Sequence, residues 1–508
     1  MTKHQFKTIY FPQKKVLSGN PTKVNISIPT PSDKNGWTQD FIGKTLAMGG
    51  VEIRHELGDP TLEHLESLAT KEHRSLSNVI LSLLHEKYLQ PNTNSKPINL
   101  KKETEAIGVT FSDSLRKGSY GWYPYVEGFS ANYARDAILR DGSKPKAIYD
   151  PFGGSGTTQL SASLLGIKSY FSELNPFMVE VCNAKVSSAG WAKNNFERFK
   201  VITNSYLNLI KEDNLKLKSK SIDLSNYNEA FPNRDFFEEN HIRELLAAMD
   251  FVNDVSEDEP HILRLLRLAC AANAVACSNM TRRADLRRRK PNEYKNRVVN
   301  VSKMITESIE RMIRDIENYP DEIEDTVQVS NDAKVIPESY FGKFDLVLTS
   351  PPYLNGTNYF RNTKIELWLM SLISSEKDLK KYRELTVTGG INDVYKKEDY
   401  FKFASVEAVA QELDIKSKDK RIPTMVRHYF SDMFEVLVNV QKGLIVGGKL
   451  LLDIGDSKFY GVHVPTHTLL REVAEKAGLT FIHEHTLAKR FSRDKSELVQ
   501  VELVFTKE

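Results

Sequence analysis

The stretch "AIYDPFGGSGTTQLSASLLG", residues 147–166, decides the fold. Ala147 to Tyr149 form a short apolar run that ends at Asp150. Pro151 and Phe152 follow, and a loop of small residues, Gly153, Gly154, Ser155, Gly156 and Thr157, leads into an apolar periodic stretch that reads as a helix. Strand, glycine loop and helix in that order make a nucleotide-type site, because glycines let a ligand approach the backbone and the N–H groups of a helix start favour polar or anionic groups. No Gly-Lys-Ser/Thr follows, which excludes a Walker phosphate loop. Twenty residues after Gly153, "SYFSELNPF" places Glu173, followed by Asn175, at the expected end of the next strand, where a carboxylate can accept both hydrogen bonds of a ribose diol.

Further strands are expected in "FDLVLTS" and "GKLLLDIGD", separated by helical stretches such as "YFSDMFEVLVNVQKGLI" and "VPTHTLLREVAEKAG". Alternating strands and helices predict an α/β domain with a largely parallel sheet and its ligands at the carboxyl ends of the strands. One strand ends unusually. In "DLVLTSPPYLNGTNYF", residues 345–360, the apolar run stops at Ser350, Pro351, Pro352 and Tyr353, which cannot continue a sheet ladder comfortably and instead make a rigid, polar turn tipped by an aromatic ring.

"DPFGGSGTT" together with "TSPPY" resembles the paired signatures of S-adenosylmethionine-dependent DNA methyltransferases that act on an exocyclic amine, cytosine N4 or adenine N6. The resemblance covers most of residues 120–495 and implies a Rossmann-like methyltransferase sheet with S-adenosyl-L-methionine as cofactor. It makes the loop from Asp150 to Thr157 and Asn175 part of the cofactor site, Glu173 the ribose-binding acid, and Asp332 in "VSNDAKVI" the adenine-contacting acid. "WYPYVEGFSANYARDAIL", just before the loop, matches the family's segment around the methionine end of the cofactor.

A conjugated exocyclic amine is a poor nucleophile. Acceptors that bind its N–H hydrogens favour a pyramidal nitrogen and expose the lone pair, and the resemblance gives that task to the Ser350 hydroxyl and the Pro351 carbonyl, with Tyr353 stacking on a base flipped from the duplex. In the family, serine before the double proline goes mostly with cytosine N4 and aspartate or asparagine mostly with adenine N6, so cytosine N4 is the expected target. Methylation at cytosine C5 would need a cysteine nucleophile after a proline, and none of Cys182, Cys270 and Cys277 follows one. Adenine N6 methylation, RNA guanine-N2 methylation and a DNA-binding regulator on an inactive methyltransferase fold are the competing readings. The cofactor loop precedes "TSPPY" by almost two hundred residues, the reverse of the order in many family members with this style of loop.

A chain of 508 residues predicts more than one unit. Residues 1–36, with scattered lysines and prolines, read as an extended arm. Residues 37–91 read as a small strand-helix-helix module, similar to a ribbon-helix-helix unit, with a homodimer expected through residues 51–90. A linker is expected at 92–106, and the catalytic domain at 107–190 and 326–508. Residues 191–325 read as an all-helical insertion and DNA-binding candidate, and 372–425 as a second insertion and target-recognition candidate.

Net charge is only +3, so any surface for double-stranded DNA must come from local clustering. The cluster is "TRRADLRRRKPNEYKNR", which holds Arg282, Arg283, Arg287, Arg288, Arg289 and Lys290. The cysteines show no metal-ligand spacing and fit a reducing, cytoplasmic compartment, and no metal site is expected. The N-terminus lacks an apolar leader and "LLRLACAANAVAC" is too short to span a membrane. No nuclease motif is evident, which assigns cleavage in a restriction-modification system to a separate endonuclease partner.

Overall fold

A computed structural model describes residues 6–9, 53–56, 114–125, 128–142, 144–282, 285–295, 297–354, 359–394, 399–491 and 496–508. Two compact units result: residues 1–104 with 139–143, and residues 105–138 with 144–508. In the first, Phe6–Ile9 pairs antiparallel with Ile53–Glu56. The strand expected near Val51 therefore finds its partner in the segment read as an extended arm. The two helices expected after it, the proposed dimer contacts and the linker lie outside the described residues.

The second unit is built on a mixed seven-stranded sheet. Its strands are β1 (Ala147–Asp150), β2 (Lys168–Ser172), β3 (Thr326–Ser330), β4 (Phe344–Thr349), β5 (Leu444–Gly455), β6 (Thr480–Phe491) and β7 (Glu497–Thr506), in the spatial order β6-β7-β5-β4-β1-β2-β3. The five strands from β5 to β3 are parallel, and β7 runs antiparallel between β5 and β6. This is a Rossmann-like α/β fold. After β3 the chain returns to the far side of β1, so β1 and β4 lie side by side at the switch point although almost two hundred residues separate their ends. Ligand crevices in open α/β sheets form at that place.

The central strands are buried apolar runs, as a sheet covered on both faces requires. Tyr149, Val347, Leu450, Leu452 and Ile454 pack with the apolar sides of two helices, α10 (Arg421–Gly443) and α11 (Thr466–Lys476). Against the other helices, α2 (Thr157–Leu164) and α3 (Pro176–Asn183), lies a helical mass of α4 (Phe196–Leu209), α5 (Glu239–Ser256), α6 (Pro260–Cys277) and α7 (Val301–Glu317). Leu160 and Phe177 share one core with Leu245, Leu265 and Ile305, so residues 191–325 pack as a buttress on the helices that cover the sheet.

That region is not all-helical, as its composition suggested. Met280–Arg282 and Leu286–Arg288 form an antiparallel hairpin, and the basic run sits on it. Among the described residues no helix is long and apolar enough to cross a membrane.

Candidate active site

Asp150, at the carboxyl end of β1, is buried and organises the switch point. Its Oδ1 accepts hydrogen bonds from the Phe152 N–H (3.0 Å) and from Thr349 Oγ1 (2.7 Å), and its Oδ2 accepts one from Thr158 Oγ1 (2.8 Å). One carboxylate thus ties the loop after β1, the start of α2 and the last residue of β4 together. Burial pushes its pKa up to about 6, and the hydroxyls of Thr349 and Thr158 oppose that shift. Thr349 immediately precedes Ser350, so the glycine loop and the Ser-Pro-Pro-Tyr turn are held in register by Asp150.

The loop is shaped by close contacts. Gly154 and Gly156 adopt positive φ (50° and 79°), and a Cβ on Gly156 would lie 2.9 Å from Cys182 Sγ. The Gly156 N–H donates to the Gly153 carbonyl (2.9 Å), closing a tight turn. Glu173, one strand over, accepts from the Gly154 N–H (2.8 Å) and the Asn175 N–H (2.7 Å). Burial pushes its carboxyl up to about 7, and the N–H groups of Asn175 and Gly154 oppose that shift. Asn175 Oδ1 accepts from the Phe177 N–H (3.1 Å) and caps α3, with Pro176 in its first turn, while its Nδ2 donates to Thr363 Oγ1 (2.9 Å). The Asn175 side chain therefore braces the site instead of facing a ligand with free polar atoms. At the end of β3, Asp332 Oδ1 accepts from the Lys334 N–H (2.9 Å).

These elements enclose a cleft of about 890 Å³, including its open mouth. Asp150, Pro151, Phe152, Gly153, Gly154, Ser155, Thr157, Glu173, Asn175 and Asp332 line it, together with Ser350 and Pro352. Gly156, Pro351 and Tyr353 do not: Gly156 is under the loop and Pro351 is buried. The Tyr353 hydroxyl donates to Asp453 Oδ1 on β5 (3.0 Å), and Gln500 Nε2 donates to both oxygens of that aspartate (2.8 and 3.1 Å). Ser457 Oγ donates to the Leu354 carbonyl (2.7 Å) and fixes the turn from the carboxyl side. Next to it, buried Asp456 accepts from His467 Nδ1 (2.7 Å) and His463 Nε2 (2.9 Å), and the bond to Asp456 raises the His467 pKa.

Tyr125, Gly128 and Phe129 of the segment before β1 also line the cleft, from the stretch that the resemblance sets beside the cofactor, whereas sequence reasoning missed Leu385, Thr386 and Val387 of the second insertion. The latter stretch is seated by Asp432, which accepts both from the Thr388 N–H (3.0 Å) and from Thr388 Oγ1 (2.7 Å). Gly389 then lies against the turn, where a Cβ would come within 3.2 Å of the Tyr353 carbonyl oxygen and 3.3 Å of Pro352 Cβ. The "TGG" at 388–390 was the one available signal of such a close approach.

The basic run divides. Arg282 points inward, its side chain only 11% exposed, and pairs with Glu366 while also donating to the Asn362 carbonyl and the Tyr123 hydroxyl. It locks the hairpin onto the helix after the Ser-Pro-Pro-Tyr turn and is withdrawn from the expected DNA surface, since a buried carboxylate needs its cation. Arg287 makes a two-pronged pair with Glu293 at 2.8 Å. Arg288 pairs with Asp235 in the open, Arg289 is half-buried and Lys290 is exposed. Arg283 lies outside the described residues.

No family model matches the chain. It is similar to the Type II methyltransferase M.BsoBI of Geobacillus stearothermophilus, at 22% identity over 462 residues that cover 79% of this chain and 87% of that protein. Type II methyltransferase M.AvaI of Nostoc sp. matches at 22% identity over 411 residues, 73% of this chain and 81% of the other. Among solved structures, a TehB-like SAM-dependent methyltransferase from Corynebacterium glutamicum aligns over 74% of this chain and 88% of its own at 10% identity and a TM-score of 0.25. The rRNA methyltransferase aviRa from Streptomyces viridochromogenes aligns over 78% and 95%, at 10% identity and a TM-score of 0.26. Those scores add nothing to what the strand order shows. Over most of its length, the chain is similar to Type II methyltransferases.

Proposed function

We propose that this protein is a DNA methyltransferase that transfers a methyl group from S-adenosyl-L-methionine to the exocyclic N4 of cytosine in duplex DNA, at a short specific sequence, as the modifying partner in a restriction-modification system. The observation that carries this reading is that Ser350 of the turn and Glu173, Asp332 and the glycine loop line one cleft.

The cleft suits the cofactor. Ser155 Oγ is buried on its wall with no hydrogen-bond partner, the glycines leave room for close approach, and Phe152, Met178, Ala333 and Val387 offer apolar surface to a purine. Glu173 and Asp332 supply carboxylates at neighbouring strand ends, suited to hydroxyls, an amine and a cation. Glu173 would hold the ribose, Asp332 the adenine end, and Tyr125 and Phe129 would close over the amino-acid end. When bound, S-adenosylmethionine supplies an electrophilic methyl group on a sulfonium.

The protein's own task is to make the amine nucleophilic. Ser350 Oγ and the Pro351 carbonyl accept its two N–H hydrogens, and the prolines fix the direction of both acceptors. The Tyr353 ring stacks on the flipped base, and its hydroxyl, bonded to Asp453, which Gln500 holds in turn, fixes the ring plane. Arg288 and Lys290 supply phosphate contacts.

Incubation with mixed-sequence duplex DNA and S-adenosylmethionine, followed by digestion to nucleosides and mass spectrometry, tests this. N4-methylcytosine is the expected product. N6-methyladenine would overturn the base and keep the mechanism, and no methylated base with cofactor bound would favour a DNA-binding regulator.

A further inference from the structure

Beneath the glycine loop lies a lysine that the proposed mechanism does not use. Lys185 is 1% exposed and sits in a turn of π-helix, Ala184–Ser188, that continues α3. Its Nζ donates to the Ser155 carbonyl at 2.9 Å. The Tyr319 hydroxyl donates to the Lys185 carbonyl (3.1 Å) and holds the π turn in place. Burying an ammonium is costly where an apolar side chain would pack, and single π turns recur at functional sites.

We propose that Lys185 is a positioning residue for cofactor binding, its ammonium pinning the Ser155 carbonyl so that the Gly153–Gly156 turn keeps the shape that receives S-adenosylmethionine. This proposal rests on the function proposed above, which names the ligand.

Two peptides of the loop, one peptide apart, are held by side chains of opposite charge type, since Glu173 accepts the Gly154 N–H while Lys185 donates to the Ser155 carbonyl. α3 closes the arrangement from below, with Cys182 directly under Gly156. Ser155 lines the cleft and its Oγ is buried without a hydrogen-bond partner, so its direction depends on the backbone that Lys185 holds. An ammonium is a stronger donor than a neutral amine, and the grip loosens when the proton leaves.

Burial lowers the Lys185 pKa to about 7. Arg311 acts in the same direction and Cys182 opposes it. Burial raises the Cys182 thiol well above its usual range; the charge of Lys185 opposes that shift, and those of Asp150, Glu173 and Asp325 add to it. The loop is therefore best held near neutral pH, with Glu173 failing on the acid side and Lys185 on the alkaline side.

The test is calorimetric titration of the full-length protein between pH 6 and 9 with S-adenosylmethionine and with 5′-methylthioadenosine, which has no titrating amine. Lys185→Met should bind both ligands about 5–50-fold more weakly at neutral pH, keep the acid limb and lose the alkaline limb that the unaltered protein shows. Unchanged affinity and an unchanged alkaline limb would overturn the proposal. If the variant does not fold, titration of the unaltered protein with 5′-methylthioadenosine in buffers of different ionisation enthalpy decides: proton uptake on binding above neutral pH is expected, and none would overturn it. Failure of the unaltered protein to bind either ligand would overturn the cofactor assignment, and this proposal with it.

Discussion

Under the proposed function, Glu173 is the group on which cofactor binding most depends, and replacing it by alanine isolates its contribution. Its two oxygens already accept the Gly154 and Asn175 N–H groups at 2.8 and 2.7 Å, one bond each, which leaves acceptor capacity on both oxygens for a vicinal diol. Hydrogen bonds to a charged group contribute about 1.5–3 kcal/mol each, and water entering the open cleft recovers part of that. The expected net loss is about 2–3 kcal/mol, or about 30–150-fold in Kd for S-adenosylmethionine.

The pH dependence sharpens the test. With the carboxyl at about 7, the unaltered protein should lose roughly tenfold in affinity per pH unit below neutral, because the protonated form gives up an acceptor. The sign for stability is opposite. A folded pKa raised above the usual 4.5 means that the ligand-free fold binds more protons than the unfolded chain between about pH 4.5 and 7, so this group's contribution is present in acid and is lost as pH rises through 7. Calorimetry and thermal melts across that range measure both. A Glu173→Ala Kd within twofold of the parent's above neutral pH, or a variant that keeps the acid limb, would refute the reasoning.

Ser350→Ala should leave cofactor affinity unchanged and lower turnover about 10–100-fold, because the acceptor matters most as the nitrogen becomes pyramidal; single-turnover methylation separates the two. Tyr353→Ala should weaken capture of the flipped base by about 1–3 kcal/mol, whereas Tyr353→Phe, which keeps the ring and loses the bond to Asp453, should cost less; DNA affinity measured with both variants gives the order. Charge reversal at Arg288 and Lys290 should weaken binding to any duplex and reduce the salt slope by about 2, with the product base unchanged. A chain starting near Asn99 should sediment as a smaller species than the full chain if residues 51–90 form a dimer, and equal oligomeric states would remove that idea.

The parts of the site that were legible in the sequence are those whose chemistry is local. A glycine loop after an apolar run, an acid twenty residues on and a double proline ending a strand each carry their physical reason within a few neighbours. What could not be read depends on contacts between distant segments. The basic run looked uniform, yet Arg282 differs from Arg288 only because Glu366, some eighty residues later, is buried beside it. The hairpin at 280–288 was hidden because a three-residue strand is too short for periodicity to show. Asp150 reads as one more loop residue until Thr158 and Thr349 are seen to converge on it.

The sheet also explains why motif order along the chain says little about this site. Asp150 at the end of β1 and Thr349 at the end of β4 meet at 2.7 Å because β1 and β4 pair directly, whatever lies between them in sequence. The intervening 191–325 segment can therefore be large, provided that it leaves from β2 on one side and returns through β3 without crossing the cleft, and it meets that condition by packing on α2 and α3. The price of such freedom is that loop and turn need a covalently remote brace, and buried Asp150 is that brace. A substitution such as Thr349→Val, which removes one of its donors and keeps the shape, should leave the sheet intact and disturb the catalytic turn and the cofactor loop together, an outcome that two independently folded motifs would not produce.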